Sequence, residues 1–204
     1  MDHPEGSEMM KHYERELPKG YKEMYVVDAT KKKLAVTLNL VGGIMMAMLI
    51  AAAYLLIRPT GLKENLSIPR TLIFLVSIAA YMILHELVHG AAYKVLTGQK
   101  LTFGLTLSVA YCGVPDIYVY RKTSMISLLA PFCVFTAVFV AALAAFTNPW
   151  DKMYTAILLA IHIGGCVGDF YDTWLYLTRF TDRRTLMRDT GPKQTFYVPE
   201  DEEC

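Results

Sequence analysis

Tyr81-Met82-Ile83-Leu84-His85-Glu86-Leu87-Val88-His89-Gly90 lies inside an apolar run from Thr71 to Tyr93, and its reading decides how the rest of the chain is understood. The run exceeds the roughly 20 residues that a helix needs to cross about 30 Å of hydrocarbon. On such a helix, residues four apart sit about 40° apart around the axis and one turn along it, so His85 and His89 point the same way. Two imidazoles on one face make half a zinc site. Glu86 projects beside them, where a carboxylate can take a proton from an attacking water. Inside a span an ionisable side chain costs roughly 2.5–3.5 kcal/mol even on insertion scales, so such residues usually mark a functional site. The competing reading of the motif is a buried, hydrogen-bonded His/Glu cluster without metal.

Three further apolar runs have spanning length: Leu34 to Ile57, Ser124 to Thr147 and Met153 to Thr178. With 54% hydrophobic residues and a mean hydropathy of +0.32, the composition fits a membrane protein. The expected fold is therefore all-α, with four transmembrane helices and a cytoplasmic-side loop or β-hairpin between helices 2 and 3. Residues 1–30 form a polar N-terminal lead-in, 31–180 the four-span domain, and 181–204 a polar C-terminal tail. Before the first span, Met24-Tyr25-Val26-Val27 forms a small apolar patch that lies on the membrane surface or packs on the loop.

The net charge is +1, and the basic residues form no patch, which gives no reason to expect nucleic acid. They gather at the span ends. Lys31 to Lys33 precede the first span, Lys94, Lys100, Arg121 and Lys122 flank the middle loop, and Arg179, Arg183, Arg184 and Arg188 follow the fourth span. The other two connections are poorer in Lys and Arg. Under the positive-inside rule this predicts a multi-pass protein of the cell membrane, embedded in the lipid bilayer with both termini cytoplasmic. Cys112, Cys133, Cys166 and Cys204 are scattered without a C-x-x-C pair, so no disulfide framework is expected.

The fourth span holds the second informative cluster, His162 to Asp172. Asp169 and Asp172 share a face, and carboxylates in a span call for a partner such as a metal held by two histidines. Depth supports this. His85 is nine residues before Lys94 and Asp169 ten before Arg179, so both sit roughly 14–15 Å from their flanks. Catalytic zinc takes three protein ligands and a water, which His85, His89 and Asp169 would supply. His162, about 10 Å higher by the same reckoning, would instead hydrogen-bond between helices. Asp172 is an alternative ligand or a group that orients one. Gly164, Gly165 and Gly168 would let the fourth span approach the second.

In the middle loop, Leu101 to Leu107 alternates imperfectly, Cys112 to Asp116 reads as a turn, and Ile117 to Tyr120 as a strand. The hairpin they predict is either structural or a clamp that holds an extended substrate by strand addition. Pro131 should bend the third span. Asn39, the one strongly polar side chain of the first span, is assigned an interhelical hydrogen bond or a part in the site.

His85-Glu86-Leu87-Val88-His89-Gly90, Ala130-Pro131 and Gly168-Asp169 together resemble the zincin-peptidase family of small multi-pass membrane proteins, a domain of unknown function with His-Glu-x-x-His. More distantly they are similar to the site-2 protease group of intramembrane metalloproteases, whose zinc is held by such a motif and an aspartate from a later span. That group usually carries an Asn-Pro-Asp-Gly type sequence around its aspartate, where this chain reads Val167-Gly168-Asp169-Phe170. A Pro-Asp pair occurs instead in the middle loop, so Asp116 stands as the alternative third ligand.

The expected activity is that of a zinc-dependent intramembrane endopeptidase, with Glu86 as general base and a membrane-protein substrate. A non-catalytic metal-binding or regulatory membrane protein is the alternative. A haem site using His85 or His89 with His162 would leave Glu86 and the two aspartates unexplained.

Overall fold

The computed structural model describes residues 11–201, save 66 and 106–109 and the side chains of 63 and 64. Among the described residues three helices are long and apolar enough to cross a membrane: α1 (Lys32–Ile57), α3 (Ile68–Thr97) and α4 (Arg121–Ala145). A short helix α2 (Leu62–Asn65) lies between α1 and α3. Pro69 opens α3, where a missing N–H costs nothing, and Gly98 closes it in the left-handed conformation.

The fourth apolar run is not one helix. It breaks at Cys166 into α5 (Pro149–Gly165) and α6 (Val167–Thr178), bent by 44°, and counts as a span only if the pair is taken together. One of its small residues also serves another neighbour than expected, while Gly165 does face Tyr81 of α3. Gly164 packs on Gly42 of α1 rather than on the second span: a Cβ on either residue would overlap the other's carbonyl oxygen. That contact lets α1 and α5 lie against each other along their length.

The connections α1–α3 and α4–α5 meet at one end of the bundle. Asn148 caps α5 by accepting from the Trp150 and Asp151 backbone N–H groups, and the Trp150 indole donates to the Thr60 carbonyl at 2.5 Å.

At the opposite end the all-α expectation is corrected. Strands β1 (Tyr13–Glu14), β2 (Tyr21–Asp28), β5 (Tyr118–Tyr120), β6 (Leu186–Asp189) and β7 (Lys193–Pro199) form an antiparallel sheet of order β1-β5-β6-β7-β2. The polar lead-in and tail thus both enter structure, since each can bury one face. Val27, Met187, Phe196 and Val198 pack with Leu128, Leu175, Tyr176 and Phe180 where the sheet meets α4 and α6. The Met24 to Val27 patch is accordingly part of a strand paired with β7.

The middle loop holds a hairpin, but not with the pairing read from sequence. Strand β3 (Thr102–Leu105) pairs with β4 (Ala110–Gly113), which takes up two residues expected in the turn, while β5 leaves to join the larger sheet. The expected strand's last two residues, Thr106 and Leu107, lie outside the described residues. Cys112, Cys133 and Cys166 are free thiols, as their spacing implied, and Cys204 lies outside the described residues.

Candidate metal centre

His85 and His89 sit one turn apart on α3, both buried, with ring centroids 4.9 Å apart. Asp169 comes to them from the first turn of α6, where the helix N-terminus favours a negative charge. Its Oδ2 lies 3.6 Å from His85 Nε2 and its Oδ1 3.5 Å from His89 Nε2. Four ligands at about 2.0–2.1 Å around a tetrahedral zinc would stand roughly 3.4 Å apart, so this donor set fits zinc. Straight-helix depth counting located Asp169 even though the helix is broken, because the break falls before the aspartate.

The outer nitrogens of both imidazoles are engaged, which leaves each Nε2 free to ligate. His89 Nδ1 donates to the Ser127 carbonyl at 2.8 Å. That acceptor is available because the residue one turn later on α4 is Pro131, which has no N–H to offer it. His85 Nδ1 lies 3.1 Å from the Tyr81 hydroxyl, which is also 3.0 Å from His162 Nδ1. With the His85 proton on Nδ1, Tyr81 accepts it and donates onward to His162. His162 then donates from Nε2 to Thr136 Oγ1 at 3.2 Å.

His162 thus lies closer to the site than its rise along a straight helix gives. Donor atoms of His85, His162 and Cys166 come within 4.8 Å of one another. The His85 ring spans part of the rise, presenting Nε2 to Asp169 and Nδ1 toward His162. The Tyr81 hydroxyl stands between the two imidazoles.

Glu86 lines the same cavity of about 130 Å³ as His85, His89 and Asp169. Its carboxylate accepts from the Cys112 backbone N–H, which ties it to β4. Cys112 also borders the cavity, and burial, with the Asp189 and Glu86 charges, pushes its thiol up to about 12, so it remains protonated. Asp172 lines the cavity as well, buried, but falls outside the His85/His89/Asp169 donor set. Asp116 is exposed in the turn between β4 and β5 and is not among the cavity's lining residues. Gly90 is covered by a side chain of the hairpin: a Cβ there would meet Phe103 Cζ at 2.7 Å.

Sequence reasoning did not single out Tyr81, Ser127, Asp189 or Gln194. The first two hold the histidines, and the last two close the cavity from the sheet side. A tyrosine one turn before the first histidine and a serine one turn before a mid-helix proline were the available signals for Tyr81 and Ser127. The C-terminal residues carried none.

Helices suited to a membrane, bearing His-Glu-x-x-His and a facing aspartate, define a membrane protein with a zincin-type site. A family model described as "Putative zincin peptidase" (DUF3267) matches residues 78–182, more than half of the chain, and the chain belongs to that family. The family implies a metal, typically zinc, and supports a metallopeptidase. No curated protein and no solved structure gives a significant match to the chain.

Proposed function

We propose that this chain is a zinc-dependent endopeptidase that hydrolyses peptide bonds in or near membrane helices. One observation carries the reading: two Nε2 atoms from the middle of α3 and one carboxylate from the start of α6 converge at zinc-ligand spacing in a cavity that also holds Glu86, within an apolar bundle. His85, His89 and Asp169 hold the ion. An ion held there would supply Lewis-acid polarisation of the scissile carbonyl and a lowered pKa for the attacking water.

Glu86 accepts the water's proton as the water oxygen bonds to the carbonyl carbon. It delivers that proton to the amide nitrogen as the C–N bond breaks, leaving a carboxylic acid and an amine. The distribution of Lys and Arg argues for a cell-membrane protein with both termini and the sheet on the cytoplasmic side.

Glu86→Gln tests the reading. The amide keeps size and hydrogen bonding but cannot take the proton, so the variant should bind one zinc per chain, fold normally, and cleave a membrane-helix substrate roughly 10²–10⁴-fold more slowly. Equal cleavage by both proteins would remove Glu86 from the mechanism. Chelator-sensitive cleavage by neither, across a broad panel of membrane helices, would favour a non-catalytic metal-binding protein.

A further inference from the structure

Among the described residues α1 packs along α5 and touches α6, but shares no extended contact with α3. Between α1 and α3 lies a cleft of about 400 Å³ that reaches His85 and Glu86. Ala35 and Leu38 of α1 form one wall and Met82 of α3 the other, while Gly164, Gly165 and Gly168 at the helix break line its floor. Leu105 and Ala110 of the β3–β4 hairpin stand at its edge. Outside the cleft the helix surfaces are apolar: Leu40 and Ile83 are 61% and 63% exposed. In a bundle that crosses a membrane, a cleft flanked by such surfaces would face hydrocarbon at its side.

One residue in it does not suit lipid. Asn39 lines the cleft from α1, is exposed, and has no hydrogen-bond partner among the described residues. An unpaired amide in hydrocarbon is costly, because no water is present to satisfy it. An acyl chain offers it nothing. A peptide group, with one donor and one acceptor, matches the amide's own pair.

We infer that the α1–α3 cleft is the binding groove for an unwound, extended segment of a membrane-spanning substrate, and that Asn39 holds that segment's backbone beside Glu86. The inference rests on the peptidase reading above. The occupant is a peptide drawn from the bilayer, since the walls are apolar and the groove's polar atoms are those of Asn39 and the site itself. Asn39 is a positioning residue, because it binds substrate away from the reacting atoms.

The test uses zinc-loaded protein in phosphatidylcholine vesicles with a synthetic Leu/Ala membrane-spanning peptide carrying a central Asn-Gly-Pro helix break. A photo-crosslinking amino acid is placed at position 39 in the Glu86→Gln background and, as a control, at position 44, roughly half a turn round α1. Capture of the peptide from position 39, competed by unlabelled peptide and absent from position 44, is expected. Capture of lipid alone from position 39, or equal peptide capture from both positions, overturns the inference.

In the active protein, Asn39→Leu should lower kcat/KM roughly twofold to tenfold through KM, with zinc content and Tm unchanged. Asn39→Gln should recover part of the loss. Unchanged kcat/KM in Asn39→Leu also overturns the inference. If the unmodified protein turns over no peptide, the peptidase reading fails, and the crosslinking arm still decides whether peptide occupies the groove.

Discussion

Pro131 follows Ser127 by four residues on α4, and the N–H that the proline lacks is the one that would otherwise bond the Ser127 carbonyl, the acceptor of His89 Nδ1 at 2.8 Å. A helix-breaking residue inside a span thereby becomes part of the histidine's support. Pro131→Ala returns the helix N–H and draws the carbonyl toward the helix axis. Zinc affinity should weaken roughly tenfold, the lower end of the range for lost outer partners of a metal ligand. The apoprotein should be no less stable, since alanine restores a helical bond. Competition with a chelator of known affinity measures the first effect and thermal melting the second; unchanged zinc affinity would sink the argument.

A second relationship ties the sheet to the site. Tyr93, one turn beyond His89, donates its hydroxyl to Asp189 Oδ2 at 2.9 Å, while Asp189 Oδ1 accepts from the Gly191 backbone at 2.8 Å. Burial raises the Asp189 carboxyl from its ordinary value to about 6, against the opposing pull of those two donors. The sign follows from linkage. Folded Asp189 keeps its proton where the unfolded chain has lost it, so this contribution to stability is full below about pH 4 and is lost as pH rises through about 6. The span of the effect is about 3 kcal/mol at most. Asp189→Asn should flatten the loss of stability between pH 4.5 and 6.5 relative to the unmodified protein, read by melting in detergent micelles. Parallel pH profiles for the two would assign the titration elsewhere.

How much of this was legible depends on how local each relationship is. His85, Glu86 and His89 share one helix turn, and Asp169 could be found by counting residues from two charged flanks, because depth in a membrane is a one-dimensional coordinate. The sheet could not be found that way. β5 lies between β1 and β6, so Val119 pairs with Tyr13 on one side and Met187 on the other, and alternation within a strand does not say which distant strand it joins. The helix break at Cys166 was equally hidden, since its glycines read as packing residues. Only the bend shows that Gly164 serves α1 and that Asp169 opens a new helix.

The third ligand gives the sharpest comparison, because Asp169, Asp116 and Asp172 competed for it in sequence and the surroundings of the first two differ most. Asp169 stands between the two Nε2 atoms at 3.5 and 3.6 Å, whereas Asp116 is exposed in a turn outside the cavity lining. Losing Asp169 leaves two neutral imidazoles to hold a dication in a buried site without a compensating negative ligand. Asp169→Asn, which keeps the volume and removes the charge, should therefore abolish stoichiometric zinc binding at micromolar metal. Asp116→Asn should leave it unchanged. The apo forms of both variants should remain folded, since a neutral side chain costs less than an unpaired charge where no metal is bound. Zinc measured by atomic absorption after desalting separates the cases: retention in Asp169→Asn together with loss in Asp116→Asn would move the third ligand to the loop, and retention in both would leave the two histidines with some other partner.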